Sequence, residues 1–227
     1  MNRLIITGAS HGLGAHLTER ALEHGYGVVG LSRSKPKHDG IDWRPCDISN
    51  FNTIKDALWD LRRDEDLYGL INAAGVASMN LTISTPPETV DKLISTNLAG
   101  TIYCSMLVGK WLIRQGCGRI INFSTLAVQL AIKGEAVYAA SKAGVEAFSR
   151  SYARELGEFN VTVNTIAPGP IDTRLLAKVP KENIQKIVDQ QLIPNGGTPE
   201  DVWNITKFLL SDDANMITGD VFHIGGA

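Results

Sequence analysis

The chain has 227 residues, 44% of them hydrophobic and 20% charged, with a formal net charge of −2. This suits one large α/β domain and excludes nucleic acid as a partner, because phosphate binding needs clustered Lys and Arg and none occur. No apolar run reaches the ~18 residues of a membrane span, and the opening MNRLIITGAS reads as a buried strand, not a signal peptide.

In chain order, Leu4-Ile5-Ile6, Val28-Val29-Gly30-Leu31, Leu70-Ile71, Ile120-Ile121, Val161–Ile166 and Val221–Ile224 are apolar runs that predict strands. They are too continuous for one-sided antiparallel strands, so both faces are expected to be buried. Helices are predicted near residues 13–24, 50–63, 88–115, 138–157 and 199–211. In the fourth, Val145, Phe148, Tyr152 and Leu156 form an apolar stripe. Thr198 before Pro199-Glu200-Asp201 starts the last one with a hydroxyl cap, a proline, then acids at the positive dipole end. No linker or repeat interrupts the β-α alternation. The expected fold is therefore α/β: a Rossmann-type, doubly wound parallel sheet of about seven strands in a single domain, 1–227. Cys46, Cys104 and Cys117 lack metal-ligand spacing, so no metal is expected and they read as core or surface thiols. Their odd number, without an export signal, points to the reducing cytoplasm.

Directly after the first strand comes Thr7-Gly8-Ala9-Ser10-His11-Gly12-Leu13-Gly14, then a helix. Glycines there permit a tight turn and close approach of the backbone to a pyrophosphate, which the helix N-terminus attracts. Such a cluster could be an ordinary turn, but its place in an alternating β-α chain favours dinucleotide binding. The second strand ends in Ser32-Arg33, eighteen and nineteen residues past Gly14, where an acid would bind the ribose hydroxyls of NAD. An arginine fork suits a 2′-phosphate and His11 could add a donor, so NADP(H) is the expected cofactor; the alternative is a solvated surface arginine.

Further on, NFSTLAVQLAIKGEAVYAASK offers two adjacent hydroxyls, Ser124 and Thr125, and ends in Tyr138 and Lys142, four apart in a helical stretch and so on one face. An ammonium beside a phenol lowers its pKa from ~10 and makes it a usable proton donor near neutral pH. Tyr-x-x-x-Lys alone is more often a surface pair; a dinucleotide loop in the same chain reverses that preference.

Together TGASHGLG (Thr7–Gly14), NAAG (Asn72–Gly75), Asn97, Tyr138-x-x-x-Lys142 and Pro168-Gly169 resemble, in order and spacing over the whole chain, the classical short-chain dehydrogenases/reductases. Within that family GRIINFS, YAASKAG, VNTIAPGPIDT and GDVFHIGG resemble the β-ketoacyl-acyl-carrier-protein reductase group. The resemblance implies that Asp47 and Ile48 take the adenine end, Asp47 holding its amino group. Asn72, Ala73, Ala74 and Gly75 would line the cofactor, with Ala73 where the family often has asparagine. Pro168, Gly169, Ile171 and Thr173 would contact the nicotinamide end. A capping aspartate and an ordinary Pro-Gly turn are the plain alternatives.

The resemblance also implies a mechanism: hydride attacks a carbonyl carbon while Tyr138 protonates the developing alkoxide. Lys142 would lower the tyrosine's pKa and hold the nicotinamide ribose, a hydroxyl would stabilise the substrate oxygen, and Asn97 would hold a helix kink and a proton-relaying water. Relatives place the catalytic serine thirteen residues before the tyrosine, which selects Thr125 with Ser124 in reserve. Residues about 173–197 would form a substrate lid. Within it, the run IPNGGTP is two residues shorter than in relatives and lacks their arginine, which weakens an acyl-carrier assignment. A homotetramer or homodimer is implied through helices near 88–115 and 138–157, where Ala139, Ala140, Ala143, Gly144 and Ala147 permit close packing. Three readings stand: an NADPH-dependent reductase of 3-oxoacyl thioesters, possibly on an acyl-carrier protein; a reductase or dehydrogenase of another small keto or hydroxy compound, such as a keto sugar or polyketide intermediate; or a catalytically silent NADP-binding sensor or scaffold.

Overall fold

The computed structural model describes residues 1–171 and 181–227. Its sheet has seven parallel strands: β1 (Arg3–Thr7), β2 (Gly27–Ser32), β3 (Asp42–Pro45), β4 (Leu67–Asn72), β5 (Gly118–Phe123), β6 (Val161–Pro168) and β7 (Val221–Ile224), in the order β3-β2-β1-β4-β5-β6-β7. Chain order reverses between β1 and β4, and that switch point opens a crevice at the carboxyl ends of the strands.

The strand period of two sorts the apolar side chains onto two faces. Ile5, Val29, Leu70, Ile120 and Val163 lie in register on one face, in a core with α2 (Phe51–Leu58), α4 (Gly100–Gln115) and α6 (Ala136–Leu156). Leu4, Ile6, Val28, Ile71 and Ile121 occupy the other, packed with α1 (Gly12–Glu23) and α8 (Pro199–Leu210). Thr198 caps α8 in a full capping box with Asp201.

The remaining helices are α3 (Pro87–Leu93), α5 (Ala127–Leu130) and α7 (Lys181–Val188). Two features depart from the sequence expectations. The short edge strand β3 has a partly exposed pattern and ends in proline, so it carries no apolar run to detect. The helix expected over 88–115 is broken into α3, a π-helical stretch Ile94–Ala99, and α4. The stretch contains Asn97, and π-bulges often mark functional positions.

Candidate active site

The loop after β1 is shaped to hold a phosphate-bearing group. Gly8 has φ +74°, and a Cβ there would lie 2.9 Å from the Ala74 Cα across the switch point. At Gly14 a Cβ would meet the Gly8 carbonyl oxygen at 2.4 Å, so the first turn of α1 can press against the loop only with glycine there. Ala74 donates its N–H to Thr7 Oγ1 at 3.0 Å, tying the end of β4 to the loop. His11 is the N-cap residue of α1 and makes no side-chain cap, so the first-turn N–H groups have no such partner. Ser10 and Leu13 are half-buried, and Gly12 is exposed at the rim. This cradle fits a dinucleotide pyrophosphate.

At one edge of the crevice, Ser34 donates to Ser10 Oγ at 3.1 Å, and Ser10 bonds His11 Nδ1 at 2.8 Å. Arg33 is exposed in the same loop. Ser32 is buried instead: its hydroxyl donates to the Ser34 carbonyl at 2.8 Å and accepts from Trp43 Nε1 at 3.1 Å. Asp47 accepts from the Ser49 N–H and hydroxyl, and these bonds together with the Arg33 charge hold its pKa below the usual range despite partial desolvation. Ile48 is buried beneath α4. Ser34, not anticipated from the sequence, joins this edge because it sits two residues past the end of β2.

Asn72 points inward. It is 2% exposed and its amide donates to Ser105 and to Asn122 Oδ1, while Asn122 Nδ2 in turn donates to Ser149 on α6. Its contribution to the crevice is therefore the chain direction that places Ala73, Ala74 and Gly75. Asn97, fully buried, accepts from the Val76 N–H at 2.8 Å and donates to the Val76 carbonyl at 2.9 Å and to Ser141 at 3.1 Å. It thereby clamps the segment after Gly75 against α6. A Cβ at Gly75 would lie 3.5 Å from Lys142 Nζ, which places that ammonium beside the crevice.

Tyr138 and Lys142 share one buried face of α6. Burial pushes the Tyr138 phenol up, the Glu135 charge raises it further, and Thr125 pulls it back through its side chain. The lysine has a different partner: Nζ donates to the Phe123 carbonyl at 2.8 Å, and burial lowers its pKa to about 8. Desolvation by Leu93, Ala127 and their apolar neighbours is the largest influence on the phenol, and Lys142 bonds the Phe123 carbonyl. At neutral pH the phenol carries its proton, as a free phenol does, and burial makes it the weaker acid. The two candidate hydroxyls diverge. Ser124 is 4% exposed and donates to Glu146 Oε1 at 2.6 Å, whereas Thr125 faces Tyr138 and also accepts from the Ala127 N–H at 3.3 Å. Beside Tyr138 lies a cleft lined by Ser78, Asn80, Thr85, Leu93, Gly134 and Val137.

On the β6 side, Pro168 accepts from the Leu126 N–H at 3.1 Å and Gly169 donates to Ile224 at 3.0 Å, so the Pro-Gly turn is pinned to both neighbouring segments. Ile171 is buried and bridges to Gly197. Thr173 and the first part of the expected lid lie outside the described residues; α7 follows them. Among the described residues no cluster could hold a metal ion, and no helix is long and apolar enough to cross a membrane.

A protein-family model described as enoyl-(acyl carrier protein) reductase matches residues 8–226. The chain belongs to the short-chain dehydrogenase/reductase family. It is an oxidoreductase by that membership. The 3-oxoacyl-(acyl-carrier-protein) reductase of Salmonella typhimurium is 30% identical to it over 233 residues, covering 98% of this chain and 95% of the relative. Two solved structures are similar throughout. ElxO with NADP bound has a TM-score of 0.89 and 26% identity, covering 98% of this chain and 96% of that one. A 4-hydroxyisoleucine dehydrogenase complexed with NADH also has a TM-score of 0.89, with 28% identity, covering 100% of this chain and 98% of that one.

Proposed function

We propose that this oxidoreductase is an NADPH-dependent carbonyl reductase of the 3-oxoacyl thioester type, with Tyr138 as general acid. The observation that carries the reading is the pair Tyr138 and Lys142 on one buried face of α6, with Lys142 Nζ beside Gly75 at the crevice and Thr125 near the phenol. When bound, a reduced nicotinamide supplies the hydride. The chain's own residues do the rest. The Thr125 hydroxyl orients the substrate oxygen and stabilises its developing charge, while the buried Tyr138 delivers the proton. Lys142 holds the ribose hydroxyls next to the crevice, and Asn97 fixes the wall between them. Gly8, Ser10, Gly12, Leu13 and Gly14 cradle the pyrophosphate, Asp47 and Ile48 take the adenine, and Pro168, Gly169, Ile171 and Thr173 take the nicotinamide end. The substrate class is supported by the names of the relatives, which also make an acyl-carrier protein a candidate partner. The similarity to a 4-hydroxyisoleucine dehydrogenase favours a second reading, a small hydroxylated keto compound. In either reading the lid is residues 173–197, and the enzyme is a cytoplasmic homotetramer or homodimer.

A panel assay following NADPH and NADH absorbance with 3-oxoacyl thioesters, diketones and keto sugars tests the proposal. Turnover of thioesters at least ~10-fold better in kcat/KM than of keto sugars is expected. The opposite preference establishes the second reading, and tight NADPH binding without turnover of any carbonyl replaces both with a silent sensor.

The cofactor assignment rests on Arg33, Ser34, Ser10 and His11 gathered at one edge. Arg33→Ala is expected to raise KM for NADPH by roughly 10- to 150-fold and leave that for NADH within about twofold, since a charge-assisted bond contributes about 1.5–3 kcal/mol. An equal effect on both cofactors rejects a 2′-phosphate role for this arginine.

A further inference from the structure

Glu146 is a buried acid that no step above uses. It lies on α6 one turn beyond Lys142, is 5% exposed, and accepts the Ser124 hydroxyl at 2.6 Å, with Ser124 itself 4% exposed. Its polar side chain is removed from water with one hydroxyl as hydrogen-bond partner, an arrangement that persists only when the surrounding structure compensates for it.

The bond belongs to a series. Down α6 from Tyr138, which has Thr125 nearby, Lys142 Nζ donates to the Phe123 carbonyl at 2.8 Å, Glu146 accepts from Ser124, and Ser149 accepts from Asn122 Nδ2 at 2.8 Å. One polar contact is made per helical turn, and together they grip Asn122–Thr125 at the carboxyl end of β5. A helical turn advances ~5.4 Å and a strand residue ~3.3 Å, so this matching can hold in only one register. Past the last residue of β5 the backbone is held on its other side by Ser124 N–H to Ile166 at 2.8 Å and Leu126 N–H to Pro168 at 3.1 Å. Those bonds constrain the distance to β6. They also set which way each residue of this extended segment faces, and the side-chain bonds to α6 hold it there.

We propose that Glu146 is a positioning residue: by capturing the Ser124 hydroxyl inside the fold, it anchors the end of β5 against α6 and so holds the distance between Thr125 and Tyr138, the two groups that handle the substrate oxygen. The proposal rests on the reductase reading of Thr125 and Tyr138. Both members of the pair are needed, and what the carboxylate supplies is an acceptor oxygen in the right place. Glutamine offers the same oxygen and alanine does not.

The test compares Glu146→Gln, Glu146→Ala, Ser124→Ala and the double variant Ser124→Ala/Glu146→Ala. The readouts are kcat and KM with a carbonyl substrate turned over by the wild type, NADPH affinity by fluorescence, and hydrogen exchange of the amides at 124–128. Glu146→Ala is expected to lower kcat by roughly 10- to 100-fold, the scale of a misplacement of about 1 Å, with the NADPH dissociation constant within about twofold. Glu146→Gln should stay within about threefold of wild type, and the double variant should be no slower than Glu146→Ala. Exchange at 124–128 should accelerate about tenfold in the alanine variant and not in the glutamine variant. The proposal is overturned if Glu146→Ala is folded and keeps wild-type kcat, if Glu146→Gln is as slow as alanine, or if NADPH affinity falls in step with kcat. Should Glu146→Ala not fold, Ser124→Ala alone carries the same comparison. Should the wild type reduce no carbonyl at all, the reductase reading fails, and the exchange data alone decide whether Glu146 holds this segment.

Discussion

Thr125→Ala is expected to lower kcat by about 100- to 1000-fold with NADPH affinity unchanged, whereas Ser124→Ala lowers it by only about tenfold. The larger loss is the scale for removing one donor from a developing oxyanion. It should appear in kcat and kcat/KM alike, because the interaction strengthens as charge develops on the substrate oxygen. The smaller loss has another origin. Ser124 touches Glu146 and not the phenol, so its removal loosens the end of β5 and leaves a buried carboxylate without its donor. Tyr138→Phe should match or exceed the Thr125 effect, because it removes the proton itself. Thr125→Ser should recover most of the activity, since it keeps the hydroxyl and gives up only the methyl that restricts χ1. Steady-state kinetics on the four variants check the assignment; a Ser124→Ala loss larger than that of Thr125→Ala would exchange the two roles.

Lys142→Met is expected to abolish useful turnover, by at least ~100-fold, and at the same time to stabilise the protein. The ammonium is buried with one carbonyl as partner, and desolvation lowers its pKa from 10.5 to about 8. Below pH 8 both folded and unfolded chains carry the proton, and the full penalty of about 3 kcal/mol opposes folding. Between pH 8 and 10.5 the unfolded chain binds more protons than the folded one, so wild-type stability rises with pH. Methionine removes the penalty but orphans the Phe123 carbonyl, which leaves a net gain of about 2 kcal/mol and a Tm higher by roughly 5 °C at pH 7. The gap should close as pH rises towards 10.5. The Tyr138 phenol, whose pKa is raised, acts in the opposite direction at still higher pH, but it is present in both proteins and cancels in the difference. Thermal melts from pH 7 to 10 decide the point: parallel curves for the two proteins would mean that the lysine's burial is not what destabilises the fold.

Much of this molecule is legible in its primary structure because the relevant physics is local. Apolar runs such as Leu4–Ile6 and Val161–Ile166 can only be strands covered on both faces, and their alternation with amphipathic helices dictates a parallel, doubly wound sheet. The glycine loop declares itself by its place between β1 and α1, and the tyrosine and lysine by their spacing on one helix face. What depended on distant elements was out of reach. The edge strand β3 has no apolar signature, and the π-helical break at Asn97 arises from packing against Val76 and Ser141. Counting residues favoured Thr125 over Ser124, but which hydroxyl meets the phenol depends on the rotation of a chain segment held by α6, and no local propensity encodes it. The surroundings of Tyr138 were out of reach in the same way: spacing places a lysine one turn away, and only the packed fold adds the burial that raises the phenol's pKa. Local pattern determines which elements form and which reactive groups they carry. Side-chain direction and desolvation are set only when α6 is packed against β5, and in this protein those two quantities separate a hydroxyl beside the reacting atoms from one that holds the scaffold.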